Sequence, residues 1–346
     1  MKENLETKIN FDSGVLENID LSKFKSILVI TGTQHSLGVF EEKVRPVLNK
    51  KAKKFIVWTN ISSNLTDSEV YMVMNFASGN NIDCVISVGA DAVMDCGRLV
   101  SLLLSHGGFL HDYLPGGSIG PNGVTAQVMH HITIPTMPSA GSEISSRALF
   151  RHSGKIEKIS SPYLVPDEAF IDPLIMTNLP GDLWAIRGFD AFATAIDAYI
   201  CKMANDVSDA FAVSTLESYI KHARNLVKRP DNIENIKHAC AASMNAFLAG
   251  NYSNSAYISI VANALVSKLG VRRGVAQAIV CGEVCAYLYR LNPVRFDKIA
   301  EMLGGQGGSG TAVKKEINRL VKDLGIKLPK TLIETKDIQT ILKGAK

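Results

Sequence analysis

A chain of 346 residues is too long for one ordinary hydrophobic core and implies about two domains. Its formal charge of +4, from 37 basic and 33 acidic residues, is small and dispersed, which argues against a nucleic-acid partner. No apolar run reaches the ~18 residues needed to span a bilayer, and the opening MKENLETKINF lacks the apolar stretch of a signal peptide, so no membrane partner is expected.

Ser26 to Gly32 (SILVITG) is a continuous apolar run closed by glycine, the pattern of a buried parallel strand. Val39 to Asn49 follows with helical spacing, and Lys54 to Asn60 is the next strand. Lys50, Lys51, Lys53 and Lys54 between them read as a solvated helix end. Leu65 to Gly79 opens on a cap-like Thr-Asp-Ser and closes on glycine, as a helix does. Cys84 to Gly89 is a third strand, Ala92 to Gly107 its helix, and Ile132 to Thr136 a fourth strand beyond a Gly/Pro-rich loop. Ala148 to Asp172 predicts a hairpin-like excursion around a Ser-Gly turn, and Asp172 to Pro180 a connector. From Gly181 onward only helical spacing remains. The alternation predicts an α/β domain with a Rossmann-like parallel sheet over residues 1–180, then an all-α domain over 181–346. No internal repeat or low-complexity tract is present. The scattered cysteines, Cys84, Cys96, Cys201, Cys240, Cys281 and Cys285, form no CxxC and suggest no disulfide framework, so a reducing cytoplasm is expected.

Four stretches stand in the order and separation of motifs of the iron-containing alcohol dehydrogenase family, whose relatives include glycerol dehydrogenases and maleylacetate reductases. Val85 to Arg98 (VISVGADAVMDCGR) resembles the family phosphate loop GGGSxxDxxK, with Gly89, Asp95 and Arg98 on the pattern. Ile134 to Ser145 (IPTMPSAGSEIS) resembles PTTxGTGSE. Asp172 to Ile200 is similar to DPxLtxxLP…DAlxHaiEay, and Ser259 to Val280 to GlxHalAHxLGxxxxxpHGxxnAil. A softer match covers Val313 to Leu332. The resemblance implies a nicotinamide dinucleotide cofactor, a carbonyl or alcohol substrate and an assembly such as a homodimer.

The cofactor site is expected on the turn after the third strand. A glycine-rich turn lets backbone amides approach a pyrophosphate, and the helix behind it adds partial positive charge. Gly89, Ala90, Asp91 and Ala92 occupy that place, with Asp95 one turn on. Where the family has three glycines, Ala90 narrows the approach and Asp91 brings a carboxylate that must turn outward or cap the helix. By resemblance, the turn of Thr136, Met137 and Ser139, with Ser142 nearby, covers the nicotinamide side. Gly32 stands where NAD-preferring relatives often carry an acid, so a 2′-phosphate is not repelled and the cofactor is NAD or NADP.

The resemblance also locates the family's divalent ion on an Asp and histidines of the second domain. Residue by residue these are Asp190, Thr194, Asn263 and Arg273, with Ser267 where a further His is common. Every histidine in the chain lies at or before His238, and His222 and His238 read as surface or packing residues. Zinc and iron sites need about three N, S or O ligands, whereas a guanidinium cannot ligate and brings a fixed positive charge. No divalent metal is therefore expected, and the residues are read as a replacement in which Arg273 pairs with Asp190. The alternative is an eroded pocket with Arg273 facing solvent.

Two functions follow. One is a metal-independent NAD(P)-dependent oxidoreductase interconverting an alcohol and an aldehyde or ketone, with Arg273 assisted by Asn263 and Thr194 at the developing oxyanion. In that reading Arg273 alternatively clamps an anionic substrate group, and the proton comes from Ser267, Lys268 or solvent. The other is a non-catalytic or regulatory nucleotide-binding homologue. A sugar-phosphate cyclase shares the architecture but also needs a metal cage.

Overall fold

A computed structural model describes residues 7–177, 179–253, 257–329, 336, 338, 340 and 341. By internal contacts the chain divides into Met1–Met176 and Thr177–Lys346.

The first unit is built on a six-stranded sheet. Its strands are β1 (Lys8–Phe11), β2 (Ile27–Gly32), β3 (Phe55–Ile61), β4 (Cys84–Gly89), β5 (His131–Pro135) and, after a hairpin, β8 (Glu168–Ile171). The order across the sheet is β1-β8-β5-β4-β2-β3, every pair parallel. Ile27, Leu28, Val29 and Ile30 of β2 and Cys84, Val85 and Ile86 of β4 are fully buried, which explains their unbroken apolar runs: both faces of a central parallel strand are covered. The covering helices are α1 (His35–Val39), α2 (Arg45–Lys51), α3 (Asp67–Ala77) and α4 (Asp91–His106). Helix α3 starts on a reciprocal cap: the Glu69 amide donates to Thr66 Oγ1 at 3.2 Å, and the Thr66 amide donates to the Glu69 carboxylate at 2.8 Å. The predicted hairpin is β6 (Arg147–His152) and β7 (Lys155–Ser160), antiparallel around Ser153 and Gly154, whose φ values of 49° and 79° suit a two-residue turn.

Strands β1 and β8 were not anticipated in the sequence. Each has four residues, too few for a periodic signal. The first predicted helix begins at His35 rather than Val39 and passes through a π-helical turn at Phe40–Val44.

After Ile171 the described residues contain no strand. The second unit consists of α5 (Gly181–Ile200), α6 (Asp206–Lys228), α7 (Ile233–Ser253), α8 (Tyr257–Leu269), α9 (Arg273–Leu288), α10 (Pro293–Met302) and α11 (Gly310–Asp323). Helix α5 is central and packs on α6, α7, α8 and α9. Close approach of α9 to α5 depends on Gly274, where a Cβ would collide with the Ile186 carbonyl oxygen. Among the described residues no helix is long and apolar enough to cross a membrane.

Candidate functional site

In the first unit, β2 connects outward to β3 while β4 connects the other way to β5, so the strand order reverses between β2 and β4. Ligands of open parallel sheets bind beyond the carboxyl ends of strands at such a point. Gly32 and Gly89 end these two strands. A Cβ on Gly89 would lie 2.6 Å from Val93, and one on Gly32 3.3 Å from the same side chain. The close seating of α4 under the two strand ends therefore requires glycine at Gly89 and leaves little room for a side chain at Gly32.

The turn into α4 departs from one expectation. Asp91 does not cap the helix: the N-cap is Ala90, with φ −101° and ψ −170°, and it makes no side-chain cap bond. The chain leaves the extended conformation one residue earlier than a capping Asp91 requires, so Asp91 is the first helical residue. The Val93 and Met94 amides turn back to the Ala90 carbonyl at 3.0 and 3.1 Å, and the turn sets the start of α4, with its partial positive charge, beyond the end of β4, a placement suited to an anion.

The neighbouring turn is tied to this one. The Thr136 amide donates to the Gly89 carbonyl at 3.0 Å, and the Thr136 and Ser36 hydroxyls are 3.2 Å apart. Ser139 Oγ donates to the Met137 carbonyl at 3.2 Å, and Ala140 and Gly141 take positive φ, which folds the chain back sharply. Below lies Arg98, fully buried. It donates to the Ser142 carbonyl at 2.7 Å and hydroxyl at 2.9 Å, and it pairs with Asp95 at 2.6 Å. Asp95 is thus engaged by Arg98 rather than standing free at the helix end, and the two residues brace the 139–142 turn against α4. Burial pushes the Asp95 carboxyl up to about 6 against the pull of Arg98, and pushes Glu143 up to about 7. Burial also drives His131 down to about 3, so it packs as a neutral ring with Nε2 2.8 Å from the Ser87 hydroxyl. The glycine-ended strands and the helix start behind them fit a dinucleotide. Ser36 was not anticipated; nothing in its sequence context marks it.

In the second unit, helical spacing puts Asp190, Thr194 and Asp197 on one face of α5. Arg273 opens α9, and its Nε lies 3.4 Å from Asp190 Oδ1. Asp190 is 3% exposed, while the Arg273 side chain remains 31% exposed. Neither of the two facing atoms has an aligned hydrogen bond, so the attraction is between charges at close range. Arg273 Nη2 also reaches Ser259 Oγ at 3.4 Å. Ser259 and Asn263 are four apart on α8, so Asn263 stands one turn along from the Arg273 contact, half-buried. Ser267, two turns from Ser259, is exposed, and the Lys268 side chain lies outside the described residues.

Asp197 was missed by sequence reasoning. Its carboxylate accepts the amides of Ile258 at 2.7 Å and Ser259 at 3.0 Å, fixing the start of α8 against α5. Burial raises its carboxyl to about 6, opposed by those amides and by the Arg273 charge. His222 and His238 lie on α6 and α7, stacked at 4.0 Å between ring centroids, with His222 Nδ1 2.9 Å from Asn235 Oδ1.

The chemistry of this set does not fit a divalent cation. Among the described residues no group of three or more His, Cys, Asp or Glu is placed to hold one. The one carboxylate at the expected position faces a guanidinium instead.

The family model described as iron-containing alcohol dehydrogenase matches residues 6–173, and the C-terminal model of the Fe-containing alcohol dehydrogenase family matches residues 184–345. The chain belongs to the iron-containing alcohol dehydrogenase family. It is 25% identical to the NAD-dependent methanol dehydrogenase of Bacillus methanolicus, over 93% of this chain and 85% of that protein. To the 1,3-propanediol dehydrogenase of Citrobacter freundii it is 28% identical, over 78% of this chain and 71% of the relative. The fold matches the alcohol dehydrogenase from Oenococcus oeni with a TM-score of 0.86 at 21% identity, covering 98% of this chain and 92% of that one.

Proposed function

We propose that the protein is an NAD(P)-dependent oxidoreductase that interconverts an alcohol and an aldehyde or ketone without a catalytic metal. The observation that carries this reading is Arg273 beside Asp190, at the positions where the family resemblance puts ion ligands. Its alcohol dehydrogenase relatives support the reaction class. A cytoplasmic setting accords with the six cysteines, all free thiols.

A bound nicotinamide supplies or accepts the hydride. The Gly89–Ala92 turn at the start of α4 would hold the pyrophosphate, and the Thr136–Ser139 turn, followed by Ser142 on which Arg98 is anchored, would lie on the nicotinamide side. With Gly32 closing β2, no carboxylate at that residue repels a 2′-phosphate, so both NAD and NADP are accommodated. Arg273 donates hydrogen bonds to the carbonyl oxygen, where negative charge develops during reduction. Asp190 fixes the guanidinium and keeps the site from carrying an uncompensated cation. Thr194, one turn from Asp190 on α5, and Asn263, one turn from Ser259 on α8, are the neutral donors of this reading. The guanidinium remains protonated throughout, so the alcohol proton is exchanged with Ser267, Lys268 or solvent.

Metal analysis and NADH or NADPH fluorescence on one purified sample, followed by turnover on an aldehyde and ketone panel, test this. Nucleotide binding and turnover are expected to survive exhaustive chelation. Arg273→Met is expected to lower kcat by about 10²-fold or more, and Arg273→Lys by less. Stoichiometric zinc or iron whose removal abolishes turnover overturns the metal-free reading. Nucleotide binding with no turnover on the panel assigns the protein to the non-catalytic class.

A further inference from the structure

Protein interiors pack as densely as organic crystals, and voids larger than a water molecule are few. The second unit contains a larger one: a mostly enclosed cavity of about 110 Å³ where the end of α5, the start of α8, the end of α9 and the start of α10 converge. Helices seat ridge into groove along their lengths. Here all four are ending or beginning, so the fit runs out and a space is left.

Among the described residues, the walls of this space are mainly apolar. Ile200, Leu288 and Phe296 are buried and form its interior, half-buried Tyr257 joins them, and exposed Leu291 lines it from the solvent side. The polar residues that line it are engaged elsewhere. The Cys201 thiol donates to the Ser253 carbonyl at 3.1 Å and accepts the Met203 amide at 3.3 Å. The Asn292 side chain caps α10 by accepting the Arg295 amide. Lys202 is exposed, and a lysine covers apolar surface with its stem while its ammonium stays in water.

The walls therefore define the chemistry of an occupant. A charged molecule would lose its hydration there without compensation. Water is held poorly, because a buried water needs two to four polar partners. An apolar cavity of about 150 Å³ stays dry and takes up benzene, with six carbons; in proportion, 110 Å³ takes about four or five.

We propose that this cavity is a binding site for a small uncharged apolar molecule of about the size of cyclopentane. It shares no wall residue with the Asp190–Arg273 pair and does not depend on the oxidoreductase reading. It adjoins that region through Tyr257, which opens α8 immediately before the two amides held by Asp197.

The test follows thermal melting of the purified protein with and without hydrocarbon, for wild type, for Leu288→Phe, which fills the cavity, and for Phe296→Val, which enlarges it. Cyclopentane is expected to raise the melting temperature of wild type by roughly 2 °C or more and not to raise that of Leu288→Phe. Phe296→Val starts less stable, and benzene is expected to raise it more than it raises wild type, because the added space admits the larger ring. Cys201 reports the location. The other five cysteines are buried, so a thiol reagent modifies Cys201 first. Cyclopentane is expected to slow that modification about threefold or more in wild type. A wild type that gains nothing from cyclopentane overturns the proposal, as does a gain without protection of Cys201 or an equal gain in Leu288→Phe, each of which puts the hydrocarbon elsewhere. If Leu288→Phe does not fold, Phe296→Val decides: a response to benzene no greater than that of wild type overturns the proposal.

Discussion

At the residue scale, Arg273 and Asp190 form the pair on which the proposed function rests, and they are unequal. Asp190 is almost fully buried, whereas a third of the Arg273 side chain meets water. Removing the carboxylate therefore leaves a cation that can move toward solvent. Asp190→Ala is expected to destabilise the protein by about 1–3 kcal/mol, below the cost of orphaning a wholly buried charge. Urea unfolding measures this, and unchanged stability means the 3.4 Å approach contributes nothing. The pair was legible because Asp190, Thr194 and Arg273 fall on family motif positions and a guanidinium cannot act as a ligand. Gln277 was not legible. A glutamine in a helical pattern reads as surface, and only the packing of α9 on α5 shows it to be buried.

At the element scale, the start of α8 is set by a residue about sixty positions upstream. Asp197 takes the Ile258 and Ser259 amides, and Ser259 in turn meets Arg273. Asp197→Ala is expected to cost about 1–2 kcal/mol as a lost cap, and to lower turnover through Arg273 without changing nucleotide affinity. Equal losses in both would show a general loosening instead. This long-range cap escapes a local reading, which sees only an acidic residue mid-helix. Elsewhere local signals sufficed: the Ser153–Gly154 turn announced its hairpin, and glycines closed β2 and β4. The four-residue strands β1 and β8 escaped because so short a run has no distinguishable period.

At the scale of the whole molecule, four buried titratable groups give stability an unusual dependence on pH. Asp95 and Asp197 are raised to about 6 and Glu143 to about 7, so across the range from roughly 4.5 to 6 the folded chain holds protons that the unfolded chain has released. Each of these contributions is complete below the unfolded pKa and is lost as pH rises through the folded value. His131, lowered to about 3, acts in the opposite sense: its contribution is present above its usual value near 6.5 and is lost as pH falls toward 3. Three acids outweigh one imidazole. Urea unfolding is therefore expected to find the protein more stable near pH 5 than near pH 8. In Glu143→Gln the decline between pH 6 and 8 should flatten. A wild-type stability that climbs steadily to pH 8 would contradict this. The division into an α/β unit and a helical unit was visible in the change of hydrophobic period, because a sheet with both faces covered and a helical bundle bury their chains with different repeats.

The positive charge at the head of α9 belongs to a side chain. On the metal-free reading proposed above, it arrives with translation and is in place once the helices pack, so that reading requires no loading step or metallochaperone between folding and activity. The same reading predicts activity that is indifferent to iron starvation, to a competing metal and to peroxide, because a charge bonded to the backbone cannot be scavenged, exchanged or cycled.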